Sequence, residues 1–184
     1  MTAAQQKKTV EEYLADEERS QERHEYVAGE VYAMVGTTFR HNEIVLNLAT
    51  ALRAALKGRG CRVFASDVKL RVATADAYFY PDVFVNCGGA AGTTTTASDA
   101  PLVIEVLSES TEAYDHGAKM LLYRKLPSLQ EYVLVWQDRR VVEVFRRADI
   151  GWTHLVFEND DVVRLESVSA SVPVSTIYED TDVA

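Results

Sequence analysis

The sequence lacks the features that would place the protein in a membrane, in a disulfide scaffold or in a zinc-binding class. No stretch approaches the roughly 18 consecutive apolar residues that a transmembrane helix needs, and residues 1–12 are polar where a secretory signal would be apolar. The two cysteines, Cys61 and Cys87, are too few for a disulfide scaffold and have no histidine or cysteine partners at metal-ligand spacing. We therefore expect a cytoplasmic protein with reduced thiols, no membrane contact and no zinc site.

A phosphate-binding glycine loop and an excess of positive charge are also missing. The glycine-rich stretch at 88–92 is not followed by the Lys-Ser/Thr pair of such a loop. The net charge of −9 argues against a nucleic-acid partner, but the surplus acids lie in the two ends, residues 1–25 and 158–184, and the central body is neutral. The charge therefore does not exclude a polyanionic substrate, although it offers such a substrate no help.

What the chain does have is the composition of one folded domain. It has 184 residues, of which 47% are hydrophobic and 26% are charged, so it can bury a core. We predict a single domain over residues 1–184 with acidic termini. The Gly/Thr stretch at 88–99 cannot pack a core and is predicted to be a flexible loop within that domain.

Hydrophobic periodicity predicts a mixture of helices and strands. The helical pattern is strongest over 38–57, where Ile44, Leu48, Leu52 and Leu56 recur every four residues. Further helices are predicted over 9–19, 115–125 and 174–179. Strands are predicted over 26–34 as a hairpin, and over 61–65, 68–72, 79–86, 102–107, 131–136, 141–147, 153–157 and 162–165. This order indicates an α/β fold with a mixed central sheet flanked by helices.

Two predicted strands contain an acid where a core strand should be apolar. Asp82 begins one hydrophobic run and Glu105 lies in the middle of another. A carboxylate is costly to bury ionised and unpaired, so each must be paired, protonated or bound to a cation. Alternatively, each points outward at a strand end or pairs with Arg53, Arg62 or Arg71. One or two carboxylates with waters and a substrate phosphate are the usual way in which proteins hold Mg²⁺.

At this point an ordered set of motifs resembles a known family. The segments that carry it are Tyr80-Pro81-Asp82, Ile104-Glu105-Val106-Leu107-Ser108, Ser110-Thr111, Tyr114-Asp115, Lys119, Tyr123 and Glu131-Tyr132, with Tyr26, Gly29-Glu30-Val31-Tyr32 and His41-Asn42 upstream. Over roughly residues 9–180 the chain is similar to the Uma-two endonuclease family, within the PD-(D/E)xK restriction-endonuclease-like superfamily.

This resemblance implies a restriction-endonuclease-like core and a metal-dependent hydrolysis of phosphodiester bonds in nucleic acid. DNA is the expected substrate. It implies that Asp82, Glu105 and the backbone carbonyl of Val106 hold Mg²⁺, for which Mn²⁺ could substitute, and that a water activated by the ion attacks the phosphorus in line. It also suggests that Glu30 completes the acidic cluster. His41 either orients a water or a phosphate, or is an ordinary core histidine.

The sequence departs from the superfamily pattern at one position. The lysine expected two residues after the second acid is Leu107 here. Lys119 is the best replacement, because it shares the inward face of the predicted helix with Asp115 and Tyr123. Alternatively, the stem of Lys119 packs against the protein while its ammonium extends to the solvent and pairs with Asp115 or Glu112. The alternative function is a catalytically inactive nuclease-fold protein that acts as a binding or accessory module.

A homodimer is expected because one active site nicks one strand of a duplex at a time. The hairpin over 131–147 carries many large apolar side chains, and it or the N-terminal helix is predicted to form a two-fold interface. The alternative is that these side chains pack inside the sheet. They are Tyr132, Val133, Val135, Trp136, Val141 and Phe145.

Overall fold

The computed structural model describes residues 7–34, 36–89 and 92–183. The α-helices of this part of the chain are α1 (Val10–Arg19), α2 (Phe39–Ala55), α3 (Glu112–Tyr114), α4 (Met120–Tyr123) and α5 (Val174–Ile177). A π-helical turn, Asp115–Lys119, joins α3 to α4, and 3₁₀ turns cover Ala73–Ala75 and Glu166–Val168. Within the described ranges, no helix is long and apolar enough to cross a membrane.

The strands fall into three sheets. They are β1 (His24–Val27), β2 (Glu30–Ala33), β3 (Arg62–Ala65), β4 (Lys69–Val72), β5 (Ala77–Phe79), β6 (Val83–Asn86), β7 (Thr96–Ala97), β8 (Leu102–Leu107), β9 (Glu131–Trp136), β10 (Val141–Arg147), β11 (Trp152–Glu158), β12 (Val162–Leu165) and β13 (Ala170–Pro173). One sheet has the order β2-β1-β5-β4-β7, another has the order β11-β10-β9-β8-β6-β3, and β12 pairs with β13.

This arrangement confirms the α/β class with a mixed sheet and flanking helices, and the strands outside the six-stranded sheet form a five-stranded and a two-stranded sheet. In the six-stranded sheet β8 runs parallel to β9 and antiparallel to β6. The predicted strand over 79–86 divides, since β5 ends at Phe79 in one sheet and β6 begins at Val83 in the other. Pro81, between them, has no backbone N–H to give to a ladder, which favours a break there.

The two larger sheets enclose one apolar core, and helices cover the outer faces. Leu70 and Phe79 from the five-stranded sheet meet Phe84, Leu107 and Leu134 from the six-stranded sheet, together with Tyr123 of α4. On the other face of the six-stranded sheet, α2 packs the predicted stripe of Ile44, Leu48 and Leu52 against β6, β8 and β9. Helix α1 packs Tyr13 against Tyr26 and Tyr78 of the five-stranded sheet. Asp82, the residue before β6, and Glu105 of β8 are therefore held between well-packed layers.

Local capping signals explain where the two long helices begin. Thr9 accepts a hydrogen bond from the backbone N–H of Glu12, and the Glu12 carboxylate accepts one from the backbone N–H of Thr9. This reciprocal pair satisfies two N–H groups that a helix start otherwise leaves without partners. Thr38 caps α2 in the same way, by accepting a hydrogen bond from the N–H of His41 at 3.2 Å. The cap fixes the position of His41 in the first turn.

Two expectations about surface segments need correction. Within the Gly/Thr stretch, Thr96–Ala97 forms β7 beside β4, because Ala97 is small enough to pack into the core between the sheets. Residues 90 and 91 lie outside the described residues.

In the β9–β10 hairpin Tyr132, Val133 and Val135 are buried within this chain. The homodimer stays a prediction, but these side chains are not available as its interface.

The expectation of reduced thiols is wrong for this structure, in which Cys61 and Cys87 form a disulfide. The bond follows from strand pairing, because Arg62 lies opposite Asn86 in the β3–β6 ladder and the cysteines occupy the next pair outward. Their Cα atoms are 4.2 Å apart. The sequence shows two cysteines 26 residues apart, but not that the strands beside them pair.

We predict that reduction destabilises the protein by about 3–4 kcal/mol, because the disulfide restricts a loop of this length in the unfolded chain. Urea unfolding with and without dithiothreitol measures the loss, and a thiol titration of the denatured, unreduced protein should find no free thiol. The control is the double variant Cys61→Ala/Cys87→Ala, which should match the reduced protein and not respond to the reductant. A free-thiol count of two in the untreated protein would contradict the assignment.

Candidate active site

The two acids predicted from the apolar strands meet at the start of β6. In the β6–β8 ladder Val83 lies opposite Ile104, so the next pair outward places Asp82 opposite Glu105. The backbone N–H of Asp82 donates to Oε2 of Glu105 at 3.2 Å, and the backbone N–H of Val106 donates to Oδ2 of Asp82 at 2.7 Å. The antiparallel register therefore brings together two carboxylates that are 23 residues apart in the sequence.

Strand alternation puts Glu105 and Leu107 on the same face of β8, toward the core between the two sheets. Leu107 is buried in that core with Tyr123. The helical segment from Glu112 to Tyr123 packs over this face and brings Lys119 to Glu105. A lysine in the superfamily position would approach from the strand, whereas here the ammonium approaches from the helix.

Lys119 lies at the end of the π-helical turn Asp115–Lys119 and is bound by three carboxylates. Its Nζ is 3.0 Å from Glu25 Oε1, 3.1 Å from Glu105 Oε1 and 3.7 Å from Asp115 Oδ1. Only 10% of its side chain is exposed. The pairing with Asp115, one of the two interpretations from the sequence, is thus present together with the contact to Glu105. π-helical turns are rare and occur often at functional sites.

Glu105 has every carboxylate oxygen engaged. Tyr123 donates its hydroxyl to Oε1 at 2.9 Å, beside Lys119, while Oε2 accepts the backbone N–H of Asp82. Tyr123 itself is fully buried and its ring lies tilted against that of Phe79, over which the Lys119 ammonium also lies. The carboxylate is therefore held in one orientation by contacts from β6, α4 and the π turn.

The cluster carries more negative than positive charge. Burial raises the pKa of Glu105, and although Lys119 opposes this, the charges of Asp82, Asp115 and Glu25 add to it. Burial also raises the pKa of Asp115. For Lys119, burial alone would lower the pKa, but the charges of Glu105, Glu25 and Asp115 outweigh it and raise the pKa well above its usual value. Lys119 is thus held protonated. Its one positive charge does not balance the charges of the surrounding carboxylates, so a further cation would be stabilised beside them.

His41 reaches the same acids from the opposite face of the sheet. Its Nε2 is 3.3 Å from Asp82 Oδ2, and only 13% of the side chain is exposed. Burial lowers the pKa of His41, but the hydrogen bond and charge of Asp82, with the carbonyl of Val106, outweigh burial and raise it. Its Nδ1 is buried without a hydrogen-bond partner among the described residues. The histidine is therefore positioned at Asp82.

Glu30, the predicted third acid, is not in this cluster. It is exposed on the edge strand β2, where it accepts a hydrogen bond from Tyr32. Glu25 of the interior strand β1 is the acid that reaches Lys119, and only 11% of its side chain is exposed. Both acids lie on the same face of the β1–β2 hairpin, since Glu25 is opposite Tyr32 and Val27 is opposite Glu30. β1 reads His24-Glu25-Tyr26-Val27 and is not an apolar run, so the sequence carried no signal that singled out Glu25.

The backbone of Val106 faces Asp82. The β6–β8 ladder ends at the Val83–Ile104 pair, so the edge of β8 at Val106 has no strand partner on that side. Its N–H bonds Asp82, and the carbonyl of the same residue points to the same edge of the strand, toward His41. Among the described residues, Asp82 Oδ1 has neither a hydrogen bond nor an ion pair.

The atoms that could bind a metal ion here are carboxylate oxygens of Asp82 and Glu105 and the carbonyl oxygen of Val106. All are hard oxygen ligands, which suit Mg²⁺ or Mn²⁺ with water completing the coordination. In residues 7–34, 36–89 and 92–183, no group of three or more histidine, cysteine, aspartate or glutamate side chains is arranged to hold a metal ion. The fit is therefore to an ion bound by two carboxylates, one carbonyl and waters, and not to a fully protein-ligated ion.

Comparisons with known proteins show the family of this chain and a solved structure with a similar fold. A family model described as "Uma2: Putative restriction endonuclease" matches residues 10–175. Two proteins from Synechocystis sp., slr1290 and sll1609, both described as uncharacterized, are 39% and 34% identical to this chain. The first match covers 94% of this chain and 92% of slr1290, and the second covers 84% of this chain and 90% of sll1609.

A crystal structure from Anabaena variabilis, described as a "putative nuclease belonging to DUF820", has a similar fold. Its TM-score is 0.72, the match covers 92% of this chain and 97% of that one, and 18% of the residues are identical. At this identity the likeness concerns the fold.

We predict that Lys119→Met lowers the free energy of unfolding at neutral pH by about 3–5 kcal/mol, because it leaves buried carboxylates without their cation. The loss should shrink as the pH falls from 8 toward 5. Glu105 and Asp115 have folded-state pKa values above their unfolded ones, so protonation at lower pH relieves the penalty.

Urea unfolding at several pH values measures both effects. Lys125→Met is the matched control, because Lys125 is exposed just after α4 and should change stability by less than about 0.5 kcal/mol. Equal stability of Lys119→Met and wild type would show that the buried ion pairs do not form.

Proposed function

Because the chain belongs to the Uma2 family, we propose that it is a divalent-metal-dependent endonuclease that hydrolyses phosphodiester bonds in DNA. The family and the nuclease-like fold support a hydrolase acting on phosphodiesters. The metal requirement and the choice of DNA are the proposed part.

One observation carries the proposal. Asp82 and Glu105 lie opposite each other at the end of a strand ladder, and the Lys119 ammonium is 3.1 Å from Glu105 although the usual lysine position is Leu107. Two acids and a lysine at one strand end are the PD-(D/E)xK combination of groups, here assembled from a different element. A buried lysine serving packing alone would be a costly choice, since well-packed apolar side chains of similar volume are often as stable.

The ion would be held by Asp82, Glu105 and the carbonyl of Val106. When bound, a divalent cation lowers the pKa of a water molecule and neutralises charge that develops on the phosphoryl group. The excess of carboxylates over cations in the cluster supports such a requirement for positive charge.

The remaining residues position these groups. Lys119 holds Glu105 by its charge, and Tyr123 fixes the same carboxylate by a hydrogen bond. Glu25 and Asp115 hold the ammonium in turn. His41 restrains Asp82 through Oδ2, so that Oδ1 is the oxygen left to face a ligand. Preorganised charges of this kind stabilise a transition state without having to reorient during the reaction.

We predict that Asp82→Asn and Glu105→Gln each reduce Mg²⁺- or Mn²⁺-dependent DNA cleavage by about 100-fold or more, because each removes a charged oxygen ligand from the ion. Cleavage is measured on labelled DNA with purified protein and with chelator-treated blanks. Glu30→Gln is the matched control, since Glu30 is an exposed acid outside the cluster, and its activity should stay within about twofold of wild type.

A second readout does not depend on cleavage. Binding of Mn²⁺ to the folded state should raise the melting temperature of wild type, but not that of Asp82→Asn. A wild type that shows neither cleavage nor a metal-dependent shift would overturn the proposal and favour the inactive, accessory role. A shift without cleavage of any DNA would retain the metal site and reject the nuclease activity.

A further inference from the structure

The exposed aromatic side chains of this protein all come from segments that also carry residues of the candidate active site. The sequence contains two tryptophans, nine tyrosines and six phenylalanines, and every one of them is among the described residues. The exposed ones are Phe39 at 93%, Tyr32 at 48% and Tyr114 at 37%. Other large exposed apolar side chains, such as Ile150 and Val156, are aliphatic. Aromatic exposure is therefore concentrated in one part of the surface.

Phe39 stands on the His41 side of the site. It is the first residue of α2, two residues before the histidine that contacts Asp82. It lines a groove of about 910 Å³ together with Leu107, the last residue of β8, Ser108, which follows it, and Trp136 at the end of β9. A side chain this exposed adds nothing to the core, so its packing does not explain an aromatic residue there.

Tyr114 and Tyr32 stand on the Lys119 side. Tyr114 directly precedes Asp115, and burial together with the charge of Glu25 raises the pKa of its phenol to about 12 although Lys119 opposes this. Tyr32 lies opposite Glu25 in the β1–β2 ladder, on the face that leads to Lys119. The three aromatic side chains thus come from β2, α2 and α3, next to residues of the candidate active site: Phe39 is two residues from His41, Tyr114 precedes Asp115, and Tyr32 lies opposite Glu25.

The charge of the groove disfavours a duplex. Its acidic lining residues are Glu43, Glu109, Glu112, Asp138, Asp180 and Asp182. Arg40, the cation in the same lining, is held by Asp182 through two hydrogen bonds. Duplex DNA carries about one charge per 1.7 Å and is usually bound through many lysine and arginine contacts to phosphate. A single strand carries half that charge density, and its unpaired bases can stack on aromatic rings.

We propose that the substrate is single-stranded or locally unpaired DNA, whose bases stack on Phe39 on one side of the reacting phosphate and on Tyr32 and Tyr114 on the other. This inference rests on the proposed function for the identity of the nucleic acid. The groove is large enough for a small number of nucleotides, since sites for ligands of this size measure about 300–1,000 Å³. Arg139 is exposed and lies over the ring of Trp136, which lines this groove, so its guanidinium can meet a backbone phosphate at the groove's border.

Binding is tested by the fluorescence anisotropy of a labelled 12-nucleotide strand and of the same strand annealed to its complement. Ca²⁺ replaces Mg²⁺ in the buffer, and gels confirm that the DNA stays intact. The wild type should bind the single strand at least tenfold more tightly than the duplex. Phe39→Ala should weaken single-strand binding by about tenfold, the scale of one lost base stack, while Phe39→Trp retains it. Ile150→Ala, which removes an equally exposed aliphatic side chain away from the site, should change nothing.

The outcomes separate this inference from the proposed activity. Equal or tighter binding of the duplex, or unchanged binding by Phe39→Ala, overturns the inference even when Mn²⁺-dependent cleavage is present. Preferential single-strand binding that depends on Phe39, without cleavage in Mn²⁺, supports the recognition surface and rejects the hydrolysis. Absence of binding to either form overturns the inference.

Discussion

The buried ammonium of Lys119 is the interaction on which the rest of the site depends. It joins Glu25 of β1, Glu105 of β8 and Asp115 of the π turn, so three separate elements converge on one positive charge. Without it, a mid-strand glutamate in an apolar layer would have to be protonated or the layer would have to open. Buried ion pairs rarely add net stability compared with apolar packing. The arrangement is therefore better explained by the need to hold the Glu105 carboxyl group in one orientation than by a contribution to folding.

The carboxylate pair could be predicted from the sequence because its signal is local. Asp82 and Glu105 interrupt apolar runs, and the physical cost of burying a charge identifies them without any knowledge of the fold. Lys119 could be assigned to the inward helix face from its spacing to Tyr123, since i and i+4 share a face. The π turn that carries the lysine was not predictable, because a single extra residue per turn leaves no distinct pattern in apolar spacing.

The features that could not be predicted from the sequence, Glu25 in the site and the disulfide, depend on the order of the strands in the sheets. Glu25 and Glu30 lie on the same face of one hairpin, and the difference between them is that β1 pairs with β5 on its other side, whereas β2 is an edge strand. In the same way, the Cys61–Cys87 pair follows from the β3–β6 ladder and not from a spacing rule. Pairing between strands distant in the chain is a property of the packed layers, and residue patterns within one strand do not encode its neighbour.

In the proposed function, the negative charge of the site requires the metal ion to bind before the nucleic acid, and the exposed aromatic side chains then supply the attraction for the bases. The carboxylate cluster and the acidic groove both repel a phosphate, so a divalent ion has to reduce the negative charge before a nucleic-acid backbone can approach closely. Among the described residues that line the groove, the one cation is Arg40, which is paired with Asp182, so little of the affinity can come from releasing counterions from phosphate. The remaining attraction must then come from the bases, through stacking on side chains such as Phe39. A site built in this way selects its substrate by the accessibility of its bases, since a paired base has its faces already occupied by its neighbours in the duplex.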